Sequence, residues 1–166
     1  MIYLITTHNK RKNLSYITSQ NHLHTHLWKA ISELTVHKTV LYPTSTFTAF
    51  KNKALPNRVN MVFAESNRKT QKLPNVLVNN NYKDIINTFK NKSEDLYIIG
   101  TTQYIIERFA KDIDFIVDYT TEEIEATKIN IFDTINFADF ILLKKEDHSH
   151  FVIRYFVREQ TNFIGY

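Results

Sequence analysis

The residues best placed to do chemistry begin with Gly100, Thr101 and Thr102. They separate a continuous apolar run over 96–99 from a segment where Thr102, Ile105, Ile106 and Phe109 recur at helical spacing. A strand that stops at glycine and passes into a threonine-capped helix aims unpaired backbone N–H groups outward, which suits a phosphate. The same residues also fit a plain structural crossover, since a second apolar run over 113–117 completes a strand–helix–strand unit. His22, His24 and His26 alternate, so an extended chain would carry all three imidazoles on one side, a pattern that raises a metal site. No carboxylate or cysteine accompanies them locally. They are read as loop and helix-start histidines, no metal is expected, and His22 is kept as a candidate proton donor because histidine titrates near neutrality.

The elements that must position these groups follow from the pattern of apolar residues. Strands are expected over 2–6, 39–42, 59–64, 75–78 and 96–99. Helices are expected around Leu27, Ala30, Ile31 and Leu34, over 44–50, and around Tyr82, Ile85, Ile86 and Phe89. Residues 8–26 lack periodicity and read as a long loop, a kind of segment that often carries function. Beyond Asp118 the pattern becomes strand-rich, with runs over 129–132, 137–143 and 151–157 and a polar turn over 144–150. The expected architecture is α/β: one domain over 1–166, a mostly parallel sheet of about eight strands ending in an antiparallel hairpin, and about four helices.

Composition narrows the function classes. At 166 residues, 43% hydrophobic and 13% aromatic, the chain can build a substantial core and is not a disordered one. It has no cysteine, which removes disulfides, thiol catalysis and cysteine-held zinc. No apolar run approaches the roughly 20 residues of a membrane helix, and the apolar segment at the N-terminus precedes the basic one, the reverse of a secretory signal. The net charge of +4 is spread along the chain apart from Lys10–Lys12 and Arg68–Lys72, so a nucleic-acid partner is not expected. A soluble, cytoplasmic monomer acting on a small molecule is the expectation.

Three segments resemble the dihydrofolate reductases. His37-Lys38-Thr39-Val40-Leu41, leading to Thr44-Ser45-Thr46-Phe47, is similar to the strand and helix that meet the adenosine phosphates in that family. Leu55-Pro56-Asn57-Arg58-Val59-Asn60-Met61-Val62 resembles its L-P-x-R-x-N-x-V segment, and Leu96-Tyr97-Ile98-Ile99-Gly100-Thr101-Thr102-Gln103 its I-Y-V-I-G-G-x-Q segment. The opening MIYLIT and a hairpin ending agree in order and spacing. The resemblance implies NADPH lying across the carboxyl ends of the sheet and a dihydropteridine stacked on its nicotinamide. It places Ile5, Leu27, Ile31, Phe50, Leu55 and Ile99 along the substrate cleft, with Arg58 gripping the α-carboxylate of the folate tail. It places Thr6, Thr46, Gly100, Thr101, Thr102 and Gln103 against the cofactor. Arg68 is the candidate for the 2′-phosphate, because Thr44 stands where the family has an arginine.

Departures cluster in that site. Pro43-Thr44 replaces Gly-Arg, Thr101 replaces the second glycine of a pair whose peptide bond the family makes cis, and Asn21-His22 replaces Pro-Trp in the mobile loop. The acid on the first helix aligns with Leu27, which can neither bond a pteridine nor relay a proton. Asp118 aligns with a threonine that bonds that acid in the family, so it is expected beside Leu27 as a relocated acid. Two readings follow: a divergent reductase passing hydride from NADPH to dihydrofolate, or a degenerate member that binds a folate, pterin, nucleotide or protein partner without turnover.

Overall fold

The computed structural model describes residues 1–64 and 75–160. Strand β1 (Ile2–His8) leads through a short strand β2 (Asn13–Ser15) and a 3-10 turn (Gln20–His24) to helix α1 (His26–Thr35). Then come β3 (Thr39–Pro43), α2 (Thr44–Ala49), β4 (Val59–Phe63), β5 (Leu77–Asn79), α3 (Tyr82–Lys90), β6 (Leu96–Ile98), α4 (Gln103–Phe109) and β7 (Phe115–Thr121). The chain continues through β8 (Ala126–Asn130), β9 (Phe140–Asp147) and β10 (Phe151–Arg158). The sheet order is β5-β4-β3-β6-β1-β7-β10-β9, with β2 paired to β1 and β8 paired to β2. Pairing is parallel from β5 to β7 and antiparallel through β10 and β9.

Local chemistry sets the helix starts. Thr25 accepts from the Trp28 N–H (3.0 Å), Asn81 from Lys83 and Asp84, and Thr102 from Ile105. The expected loop over 8–26 holds the last residue of β1, all of β2 and a 3-10 turn. The runs over 129–132 and 137–143 are not wholly strand. Asn130 and Asn136 accept from Phe132 and Ala138 two residues on, which starts 3-10 turns and delays β9 to Phe140. In the last hairpin the strand continues to Asp147, leaving a tight connection closed by His148 N–H to Phe151 O (3.0 Å).

The two faces of the sheet carry separate cores. Helices α1 and α2 pack on one, with Ile5, Val40, Tyr97, Val117 and Tyr119. Helices α3 and α4 pack on the other, with Ile2, Leu4, Leu41, Ile98 and Ile116. The alternation along β1, β6 and β7 is the period-two pattern of strands buried on both sides. Because the chain leaves β1 and β3 towards one face and β6 towards the other, a switch point falls at the carboxyl ends of β1, β3 and β6. Ligands of open α/β sheets bind at such a crevice.

Candidate active site

At that crevice Gly100 and Thr46 are fitted together. Gly100 has φ +58, a left-handed conformation glycine adopts without a Cβ penalty. A Cβ there would lie 2.4 Å from Thr46 Cγ2, so no side chain is accommodated. The Thr46 hydroxyl shares its proton between the Gly100 carbonyl (2.5 Å) and the Ile17 carbonyl (2.8 Å). Beside it, at the start of α2, the Ser45 hydroxyl is buried with no partner among the described residues. Thr6 and Thr101 are buried at the same strand ends. Thr102 caps α4, and Gln103 turns its amide to Glu107 (2.7 Å) along the helix. No peptide bond among the described residues is cis. Arg68 lies outside the described residues.

The segment after β2 covers this ground. Besides Ile17 on Thr46, Tyr16 packs against the α3/α4 core, where burial pushes its hydroxyl up to about 12; like Ser45, that hydroxyl has no hydrogen-bond partner among the described residues. His22, on the 3-10 turn, accepts from the Thr18 N–H through Nδ1 (3.1 Å) and lines a surface groove with Tyr16 and Glu125. Desolvation lowers its pKa, partly countered by Glu125.

The expected substrate-lining residues do come together. Ile5, Leu27, Ile31, Phe50 and Ile99 belong to the α1/α2 core, and Leu55 packs at its margin. None of those five is more than 6% exposed. Side chains bordering an empty space that admits water would remain accessible, so in this structure the cleft is closed, with Ile17, Val117 and Tyr119 in the same cluster. Phe50 meets Trp28 (5.1 Å) and the edge of Tyr42 (5.2 Å).

Arg58 is held in place from three sides. Its Nε donates to Thr35 Oγ1 (3.2 Å), one terminal nitrogen to the Pro56 carbonyl (2.7 Å), and the other to Ser32 O and Ser32 Oγ (2.8 Å). Four of its five N–H donors are thus used on the protein, and the side chain lines a surface groove with His37, Lys38, Asn57 and Glu94. The turn that carries it is pinned by Asn60, whose amide exchanges bonds with Leu55 N and O (2.9 Å each) and accepts from Tyr42 (2.9 Å).

Asp118 is not beside Leu27. Ile116 packs in the α3/α4 core, while Val117 and Tyr119 pack with Leu27 in the other, so strand alternation turns Asp118 away from α1. Its oxygens take Thr6 Oγ1 (2.8 Å) and His8 Nε2 (2.8 Å), and it is 3% exposed. Thr120 and Arg154 complete this polar group, joined by a 2.9 Å hydrogen bond. His8, which the sequence reading passed over, is the missed member. Its Nδ1 faces the Asn9 carbonyl at 2.8 Å, so both ring nitrogens have hydrogen-bond partners. The only signal for it in the sequence is a polar Thr-Thr-His end on an apolar strand; its partner is defined by the register of β1 against β7.

A family profile described as "Dihydrofolate reductase" matches residues 1–157. The chain belongs to the dihydrofolate reductase family. Among solved structures, it is similar in fold to the dihydrofolate reductase from Enterococcus faecalis complexed with NADP(H) and RAB-propyl. The TM-score is 0.73 at 18% identity, over 96% of this chain and 97% of that one. No curated protein sequence matches. Within the family framework, the L-P-x-R turn and the Gly100–Thr46 junction are formed and the apolar residues pack on one another, while the carboxylate that meets Leu27 is that of Glu123, at its N–H (2.8 Å), and not Asp118.

Proposed function

We propose that the chain is a divergent dihydrofolate reductase that uses NADPH to reduce dihydrofolate to tetrahydrofolate. Arg58 carries this reading. An arginine fixed by Ser32, Thr35 and Pro56 beside Leu55 and Ile31, with an N–H to spare, is prepared for a carboxylate. A bidentate grip needs two N–H groups, so one bond to Ser32 or Pro56 is exchanged when the folate tail docks.

The cofactor fits the residues present. The unpartnered Ser45 hydroxyl and the first N–H groups of α2 would offer donors to the pyrophosphate, at a helix start that Thr46 holds against Gly100. Thr6, Thr46, Thr101 and Thr102 border the same crevice. When bound, NADPH supplies the hydride. Ile5, Leu27, Ile31, Phe50 and Ile99 exclude water and hold the pteridine face-on. With Leu27 in the acid's place, the proton for N5 comes from water. Asp118 is a positioning group that fixes Thr6 and the end of β1, and His22, with Nε2–H unengaged by the Thr18 bond, stands at the loop that must open.

A second reading, binding without turnover, is favoured by one observation: the cleft residues are closed on one another and the Ile17 carbonyl is bonded to Thr46 at the start of α2. One experiment separates the two. NADPH oxidation with dihydrofolate is followed by nicotinamide absorbance, alongside melting curves with NADPH and with methotrexate. A ligand at 100 times its Kd stabilises by about 2.7 kcal/mol. Turnover with both shifts supports the reductase, shifts without turnover support the second reading, and no shift with either ligand overturns both.

A further inference from the structure

One of the alternating histidines, His26, gains in three dimensions the carboxylate it lacks in sequence. His26 is the first residue of α1, Glu123 stands two residues beyond β7, and His150 immediately precedes β10. His26 Nδ1 and His150 Nδ1 both turn to Glu123 Oε1, at 2.6 and 3.4 Å, and the three donor atoms lie within 4.8 Å of one another. The two imidazoles stack in parallel at 3.6 Å.

The surroundings hold these donors in orientation. Glu123 Oε2 accepts the Leu27 N–H (2.8 Å), which leaves Oε1 directed at the two rings. Buried Thr121 accepts from the Glu123 N–H (3.0 Å) and donates to the His150 carbonyl (3.2 Å), so one hydroxyl fixes the backbones of two donors. Outer bonds of this kind orient metal ligands. Burial raises the Glu123 carboxyl, but the Leu27 N–H and His26 outweigh it and hold the group below the usual carboxylate range.

We infer that His26, Glu123 and His150 form a binding site for a divalent transition metal, zinc or cobalt in class, outside the folate cleft. Metal–ligand bonds of about 2.0–2.2 Å in tetrahedral geometry put donor atoms about 3.4 Å apart. The Glu123–His150 pair is already at that separation, and the Glu123–His26 contact opens as the metal replaces the hydrogen bond. An ion in the plane of both rings requires the parallel stack to open; the His26 side chain, 59% exposed, swings out of it without disturbing the core, and water completes the coordination. Two imidazoles and one carboxylate suit zinc or cobalt, whereas calcium and magnesium take oxygen-rich shells. A bound ion would staple the start of α1 to the turns after β7 and before β10.

The test uses untagged full-length protein, titrated with Co²⁺ and followed by visible d–d absorption, and with Zn²⁺ by calorimetry. One equivalent binds and the cobalt band of a low-coordinate site appears. His150→Ala and Glu123→Gln each weaken binding at least about tenfold, while His148→Ala, whose imidazole pairs with Glu146, leaves it unchanged. Melting curves of the metal-free variants establish that each is folded. Absence of the band and of zinc heat in the wild type overturns the site, as does binding equally tight in His150→Ala, which would assign the ion to His22 and His24.

Discussion

Replacing Asp118 by Asn separates positioning from proton delivery. In the native chain the carboxylate is 3% exposed and accepts from Thr6 and His8 at 2.8 Å each. Asparagine preserves shape and can still accept from Thr6 through Oδ1. It removes the charge opposite an imidazole whose other nitrogen is committed to the Asn9 carbonyl. Leaving a buried hydrogen-bonding partner unsatisfied costs about 1–3 kcal/mol, and at about 2–4 °C per kcal/mol for a chain of this size the melting temperature falls by about 2–12 °C. Urea titration is read through Trp28, the chain's one tryptophan, which is buried in α1. Turnover of the folded fraction is expected to change by less than about tenfold, because Asp118 faces the α3/α4 core. A group that delivers the proton would instead lose about 100- to 10,000-fold. That loss with an unmoved urea midpoint would refute the placement of Asp118 and restore it as the acid.

Three other perturbations test separate parts of the structure. Gly100→Ala sets a Cβ 2.4 Å from Thr46 at φ +58 and should cost about 1–3 kcal/mol of stability by chemical denaturation; adding Thr46→Ala should relieve the contacts with Cγ2 and Oγ1 but leave the 3.0 Å contact with Cβ and the backbone strain. Arg58→Lys keeps the charge yet cannot reach Ser32, Thr35 and Pro56 together, so it should lose about 1–2 kcal/mol and most of the methotrexate melting shift. Burial raises the Asp112 carboxyl, but the bonds from Lys90 and Tyr82 outweigh it and lower the pKa below its ordinary 3.8. Its contribution is therefore present above the unfolded value and lost as pH falls through the lower folded one. Exposure limits it to under about 1 kcal/mol; Asp112→Asn should flatten the acid side of the melting profile, and an unchanged profile would count against the pairing.

What could be read in the sequence was local. Apolar runs with helical or alternating spacing gave the order of elements, and the motifs around Arg58, Thr46 and Gly100 gave the family, because tight turns and helix starts are specified by residues near one another. The closeness of Ile5, Leu27, Ile31, Phe50 and Ile99 was legible only through the family resemblance, since apolar patterning marks each as buried without saying which others it meets. Strand ends were less so: Asn130 and Asn136 divert the chain into 3-10 turns by bonding backbone two residues on, a choice that hydrophobic periodicity does not record.

Partnerships across the chain were decided by tertiary structure alone. Counting along the sequence placed Asp118 at the right height in the sheet, but a side chain's face depends on strand register, and with period two a single residue reverses it. His8 meets Asp118 because β1 lies beside β7, a neighbour 110 positions away. For His26 the sequence offered only other histidines; its carboxylate and second imidazole arrive from Glu123 and His150, through strand ends that converge only once the sheet is assembled. Composition determined that a fold of this class could form, while register and strand order determined which polar groups it would bring face to face.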